Sequence, residues 1–433
     1  MGLDRTRVAA ILKGDRIQAT PGVPRNTRDV AQAQSLANSI PAAPHFHCWR
    51  RRGVTKRLLT IGHSYVVAAN RRLAHEMALA GSDTWHVTAV APRQYRGDLR
   101  RITVEPIAGE ADDLRTAPVR LDRVPHLMWY GQLKTVLDRQ WDVVHCWEEP
   151  YVVAGAQIAR ATPRGARLVV ATFQNIDKRY PWPLSAFERQ TMKRADGWIA
   201  FGRTVHDTLS CREPYAGKPS RVLSPGVDVE RFHPDAAARR AMLDRLGWSA
   251  SDRVVGFLGR FVPQKGIALL LSALGSTNTP WRAAFVGGGP MEGELRAFAE
   301  KHRGRVHIET TARHDEVPGW LNAMTILCAP SQASPRWREQ FGRMLIEAMA
   351  CGVPILASDT GEIPHVIGDA GVVVPERDVQ RWTAEIDRLL SDDALRRDLS
   401  ERGLERARSR FAWPVVAREH LAFFEAIAAG DAT

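Results

Sequence analysis

Twice along this chain a short apolar run stops at a glycine and gives way to a helix-spaced segment and a second apolar run. The first cycle is a strand over residues 56–61, the turn Gly62-His63-Ser64-Tyr65, a helix over 67–79 closing near Gly81, and a strand over 87–91. The second is a strand over 254–258, the loop opening Gly259-Arg260, a helix over 265–273 and a strand over 283–286. Strands that are apolar on both faces and separated by helices pair in parallel, because a parallel neighbour is reached only by a crossover. The pattern predicts an α/β chain of two doubly wound lobes, with chemistry at the C-terminal ends of the strands. The 433 residues are ample for two such cores.

The stretch from Glu339 to Pro354 is the most informative strand-end loop. Met344, Leu345, Ala348 and Met349 recur at helical spacing, Gly352 suits a left-handed C-terminal position, and Pro354 follows where a helix stops. Glu339 precedes this helix and Glu347 lies on it past the first turn. Gly342 opens the helix without a side chain, so an anion can approach backbone N–H groups and the positive end of the helix dipole. Amides for a diphosphate, Glu347 for a ribose diol and Glu339 for the group beyond the phosphate form a plausible nucleotide cradle. An ordinary capped helix with solvated glutamates has the same local sequence.

The neighbouring motifs decide between these. Gly259-Arg260-Phe261-Val262-Pro263-Gln264-Lys265-Gly266, Gly287-Gly288-Gly289-Pro290, Glu339…Glu347 and Gly361-Glu362-Ile363-Pro364 follow one another in order. Together they resemble the nucleotide-sugar half of the retaining glycosyltransferases of the GT-B fold, family four, group 1. The resemblance runs from about Val54 onward and is strongest over 220–375. It implies two Rossmann-like domains facing a central cleft. The expected division is a basic extension over 1–53, an acceptor-side domain over 54–222, a nucleotide-sugar domain over 223–410, and a helix over 411–433 returning to the first domain. It also implies donor contacts from Gly259, Gly288, Phe341, Gly342, Glu347 and Gly361, and catalytic roles for Glu339, Arg260 and Lys265. Arg260 and Lys265 are expected on the diphosphate, one as a planar fork and one as a point charge.

On the first lobe, the strand-end loops Cys146-Trp147-Glu148-Glu149-Pro150 and Thr172-Phe173-Gln174-Asn175 face the same cleft by topology. The family commonly ends the second of these strands in Thr-Phe-His; this chain has Gln174, which can hydrogen-bond but not carry a proton near neutral pH. Gln174 is therefore expected to steady the transferred sugar, with His63, Glu149 and Asn175 on the acceptor side. Thr310 and His365 also depart from the family, which usually has Gly and often Glu there. These departures leave open a non-catalytic scaffold that binds a nucleotide sugar or partner protein; an epimerase on the same architecture fits the motifs less well.

Composition excludes several other classes. No P-loop, complete dinucleotide fingerprint or Asp-x-Asp carrier is present, so no cofactor beyond the nucleoside-diphosphate sugar and no metal is expected. The five scattered cysteines fit reduced thiols in a cytosol. Of the formal charge of +12, the first 58 residues carry +8, so a nucleic-acid partner is not implied. The expected partners are a nucleotide sugar and a glycan or lipid-linked acceptor. Basic residues at Arg71-Arg72, Arg93, Arg96, Arg100-Arg101 and Lys178-Arg179 suggest contact with an anionic membrane surface. The location implied is cytoplasmic, with peripheral seating on the inner face of a membrane.

Overall fold

A computed structural model describes residues 55–96, 101–137 and 139–431. The basic extension over 1–53, Cys48 and Arg100 lie outside the described residues.

The first lobe is a seven-stranded parallel sheet: β1 (Lys56–Ile61), β2 (Trp85–Pro92), β3 (Asp113–Ala117), β4 (Val143–Cys146), β5 (Arg167–Thr172), β6 (Gly197–Ala200) and β7 (Ser220–Val222). Its spatial order is β7-β6-β5-β4-β1-β2-β3, so the order reverses beside β1. The second lobe is a six-stranded parallel sheet: β8 (Val254–Leu258), β9 (Arg282–Val286), β10 (Val306–Glu309), β11 (Ile326–Ala329), β12 (Ile355–Ser358) and β13 (Gly371–Val374), in the order β10-β9-β8-β11-β12-β13. Leu58, Leu59 and Ile61 of β1 and Val254 and Val255 of β8 are buried, as strands covered on both faces require.

Two helices fix the lobes to each other. Helix α1 (Ala68–Ala80) follows β1, and α4 (Trp413–Ala429) closes the chain. Trp413, Val416, Ala417, Leu421 and Phe424 make one apolar stripe that joins Leu73 and Met77 of α1 in the first lobe's core. The two crossings between lobes meet in a parallel bridge, Val227 to Ala412. A side chain at Gly226 would sit 2.3 Å from the Trp413 ring, so the outgoing crossing can lie against the returning one only as glycine.

Several details differ from the sequence pattern. Lys265, expected inside a helix, lies on a single 3-10 turn, Pro263–Lys265. Helix α2 (Ile267–Ser276) begins after Gly266, whose φ of 69° breaks the run and turns Lys265 out of the helical register. Strand β7 was not legible because Arg221 and Val222 are exposed at the sheet edge and give no burial signal. An antiparallel ribbon, Val119–Arg120 with Trp129–Tyr130, was also unforeseen; its strands are two residues each, too short for a periodic pattern.

Candidate functional site

In the second lobe, three loops converge through their backbones. The β8 loop is bonded to the β9 loop by Gly259 N–H to the Val286 carbonyl (3.0 Å) and Phe261 N–H to the Gly288 carbonyl (2.8 Å). A Cβ on Gly288 would meet open space, leaving that peptide accessible to a ligand. Gly361 has φ +59°, and a Cβ there would lie 2.1 Å from the Glu339 carbonyl. That close approach brings the loop after β12 onto Glu339.

Glu339 is buried, and its carboxylate forms an ion pair with Lys265 and accepts from Ser331 Oγ at 3.0 Å. The Lys265 ammonium also sits 5.6 Å from the centre of the Trp337 ring. Arg260 is exposed, with no side-chain hydrogen bond or ion pair among the described residues. The structure thus joins Lys265 and Glu339 directly and leaves the Arg260 fork free.

Helix α3 (Arg343–Ala350) begins at Gly342, whose φ of 79° is left-handed. Phe341 is buried between the lobes, against Phe201 (6.3 Å) and Phe411 (5.9 Å). Glu347 is buried on α3, and its carboxylate has no hydrogen bond or ion pair among the described residues. Burial raises its pKa, against the opposing pull of Arg343 and Arg231. It lines a cavity of about 450 Å³ with Arg231, His314 and Arg343 from its own lobe and Asn70 and Glu105 from the first. Arg343 crosses the cleft to Asn70 Oδ1 at 2.8 Å.

The first lobe contributes side-chain networks instead. His63 donates its backbone N–H to Glu148 Oε1 and pairs through Nδ1 with Glu148 Oε2, each at 2.6 Å, and Tyr130 OH donates to the same carboxylate at 2.6 Å. Burial works against a charge on His63, but the Glu148 charge and hydrogen bond, with a smaller pull from Glu149, outweigh it and raise its pKa. The His63 side chain remains 37% exposed. Glu149 accepts from Thr172 Oγ1 (2.7 Å) and Phe173 N–H (2.8 Å), which ties the two strand-end loops together. Burial pushes its pKa up to about 7. Gln174 donates its amide to the Ile176 and Lys178 carbonyls at 3.1 and 3.3 Å, while its Oε1 is buried and unpartnered.

Three side chains span the cleft beside these groups. Asn175 Nδ2 donates to the Glu339 carbonyl at 2.9 Å, and Gln340 Nε2 to the Phe173 carbonyl at 3.0 Å. Glu362 accepts from Arg203 N–H, Thr204 N–H and Thr204 Oγ1 at 2.6, 2.8 and 2.6 Å. Asn175 thus spends its amide on the opposite lobe. Tyr130 and Asn70 carried no sequence signal, and Glu148 and Glu362 stood there only as members of a strand-end loop and of the Gly361–Pro364 motif, with no role of their own.

One basic cluster is resolved differently from the sequence expectation. Arg71 is fully buried, its guanidinium held by Glu110 and by the Tyr65 and Glu105 carbonyls, and Arg72 pairs with Glu76 at 2.8 Å. Arg71 therefore belongs to the core beneath α1, not to an exposed basic face. No helix among the described residues is long and apolar enough to cross a membrane.

Two parallel-sheet, Rossmann-like lobes on either side of a cleft are the architecture of the GT-B class of glycosyltransferases. The pattern of "Glycosyl transferases group 1" matches residues 239–406, and that of "Glycosyltransferase Family 4" matches residues 37–231. A D-inositol 3-phosphate glycosyltransferase of Jonesia denitrificans is 31% identical, over 82% of this chain and 89% of that one. The GDP-mannose-dependent alpha-(1-6)-phosphatidylinositol monomannoside mannosyltransferase of Mycobacterium tuberculosis is 29% identical, over 78% of this chain and 89% of that one. Anabaena HepE, solved with UDP and glucose, has a similar fold, with a TM-score of 0.64 and 17% identity over 86% of this chain and all of that one. The chain belongs to the family-four glycosyltransferases of the GT-B fold.

Proposed function

We propose that the protein moves a sugar from a nucleoside-diphosphate sugar to a hydroxyl of a glycan, lipid-linked or small-molecule acceptor, with retention at the anomeric carbon and no obligatory divalent ion. The observation that carries this reading is Glu347: a buried carboxylate without a partner, on the wall of an interlobe cavity, five residues beyond the Gly342 opening of α3. Two adjacent ribose hydroxyls supply the donors such a carboxylate lacks. The diphosphate then falls toward the start of α3, where backbone N–H groups, Lys265 and the free Arg260 fork neutralise it. Lys265 exchanges part of its Glu339 contact for phosphate, and Glu339 with the Phe341–Gly342 amides receives the sugar.

Chemistry rests on positioning and on stabilising the departing diphosphate. The acceptor oxygen attacks the anomeric carbon on the face from which the diphosphate leaves. The carbon–phosphate-oxygen bond breaks, the new glycosidic bond forms, and the acceptor's proton passes to the departing phosphate oxygen. Gln174 takes no proton; its unpartnered Oε1 is an acceptor for a sugar hydroxyl. His63, kept charged further into the neutral range by Glu148, faces the acceptor. Support for a nucleotide donor comes from the UDP and glucose bound by Anabaena HepE, and for sugar-alcohol or lipid-linked acceptors from the named activities of the relatives.

A thermal-shift panel of UDP, GDP and ADP and their sugars tests the reading. Ligand binding to the folded state adds RT ln(1 + [L]/Kd), so one base raises the melting temperature well above the others. A flat response across the panel overturns the donor assignment.

A further inference from the structure

We propose that one edge of the first lobe is a docking surface for an anionic lipid bilayer. The surface is built on the Val119–Arg120/Trp129–Tyr130 ribbon and the chain joining its strands. Seven large apolar side chains are exposed among the described residues, and four of them fall here: Leu121, Val124 and Leu127 in the connection and Trp129 on the second strand. Surfaces that face only water do not gather apolar side chains in this way. Leu121 is 65% exposed and has a φ of 60°, a left-handed conformation unfavourable for a bulky residue. The backbone is thus strained while presenting leucine to the outside.

A second loop comes to the same side. The His126 ring lies 5.9 Å from Tyr151, and Tyr151 stacks on Tyr180 at 4.0 Å. Two residues on, Trp182 is 82% exposed. Beside the ribbon runs a groove of about 780 Å³ walled by Trp129, Leu133, Val153, Ala156 and Phe187. Tyr130 closes its wall and donates to Glu148, the carboxylate that holds His63, so the groove and the cleft share one residue pair.

Charge selects the occupant. Arg120 and Arg123 on the ribbon and its connection, and Lys134 and Arg160 on the groove, are exposed and have no ion pair or side-chain hydrogen bond among the described residues. The acidic neighbour Asp122 is engaged by Arg101 at 3.7 Å and by the Arg96 N–H at 3.2 Å. A second copy of the chain would set these cations against one another, whereas anionic headgroups oppose them with negative charge. Apolar side chains with tryptophan among cations are the composition that seats at the boundary between headgroups and acyl chains. The surface does not depend on donor chemistry, and binding to it is read without nucleotide.

The test is flotation of the full chain with phosphatidylcholine vesicles, with and without phosphatidylglycerol. The wild type should float with the anionic vesicles and remain behind with the neutral ones. Lys134→Glu/Arg160→Glu should weaken anionic-vesicle binding about 25-fold or more, at about fivefold per cation. Leu127→Ser/Trp129→Ser should abolish it. Both variants should keep the wild-type melting temperature and nucleotide response, which separates loss of docking from misfolding and from failure of the transferase reading. The basic residues 1–58 are common to all three proteins, so binding through them alone leaves both variants at wild-type levels and overturns the proposal. So does absence of wild-type flotation, or a dimer in light scattering that dissolves in Leu127→Ser/Trp129→Ser.

Discussion

The two faces of the cleft are built from different materials. The second lobe presents peptide groups and cations: the Gly259 and Gly288 loops bonded backbone to backbone, the left-handed Gly342 at the head of α3, and Lys265 and Arg260 beside them. The first lobe presents titratable side chains bonded to one another: Glu148 with His63 and Tyr130, and Glu149 with Thr172 and Phe173. A face of amides and fixed cations suits a ligand of fixed negative charge. A face of carboxylates and imidazole has properties that vary with pH and can be retuned by one substitution. The contrast teaches that the donor half should fail through charge, and the acceptor half through protonation.

The largest break in this contrast is expected at Lys265. Lys265→Ala removes the cation assigned to the leaving diphosphate and should lower kcat by about 10²-fold or more, with the fold retained. The same change leaves Glu339 a buried carboxylate without its counter-ion, so Lys265→Ala/Glu339→Gln is the control. If the double variant recovers wild-type turnover, the ammonium neutralises Glu339 and not the diphosphate. Steady-state kinetics with the donor found by thermal shift decide it.

Glu347→Gln should divide stability from binding. The carboxylate is charged at a cost when buried, so the neutral amide should raise the melting temperature at pH 8. Loss of a charge-assisted contact to the ribose should weaken nucleotide binding about tenfold, measured by calorimetry. A variant that is more stable and binds as tightly as wild type removes Glu347 from the donor site.

The two faces were unequally legible in the sequence for the same physical reason. Glycines at fixed offsets and a helix start are local signals, so Gly342, Glu347 and the Gly361 loop could be placed on their elements before any coordinates. The first lobe's network is made across the sheet: His63 and Glu148 are 85 residues apart, and no periodicity encodes which of two adjacent glutamates turns to which loop. Arg71 misled because a cation on a helix next to Arg72 reads as surface; its burial depends on Glu110 and two carbonyls supplied by other segments. The two parallel-sheet lobes followed from the strand-helix alternation, and the helix returning to the first lobe was implied by the resemblance to the family. The short ribbon, edge strand β7 and the cleft-spanning Glu362 did not, because each owes its place to a partner distant in sequence.

The smallest expected effect is the one that separates the faces most cleanly. Glu149 has a pKa of about 7 because burial disfavours its charge, against the hydrogen bonds from Thr172 and Phe173. Its folded value lies above its ordinary one of 4.5, so the folded chain binds this proton more tightly than the unfolded chain. Stability linked to the group is therefore present below pH 4.5 and lost as pH rises through about 7. The loss is of the order of 3 kcal/mol. Glu149→Gln has no such proton to lose. It gives up one of two acceptor contacts and starts less stable, but its denaturation midpoint should fall less between pH 5 and 7.5 than that of the wild type. A second-lobe variant that leaves no bare carboxylate, Lys265→Ala/Glu339→Gln, should keep the wild-type slope over that range, since the carboxylate responsible is in the other lobe. Parallel slopes for Glu149→Gln and wild type would show that Glu149 is already ionised at pH 5, and that the first lobe's face is as fixed in charge as the second.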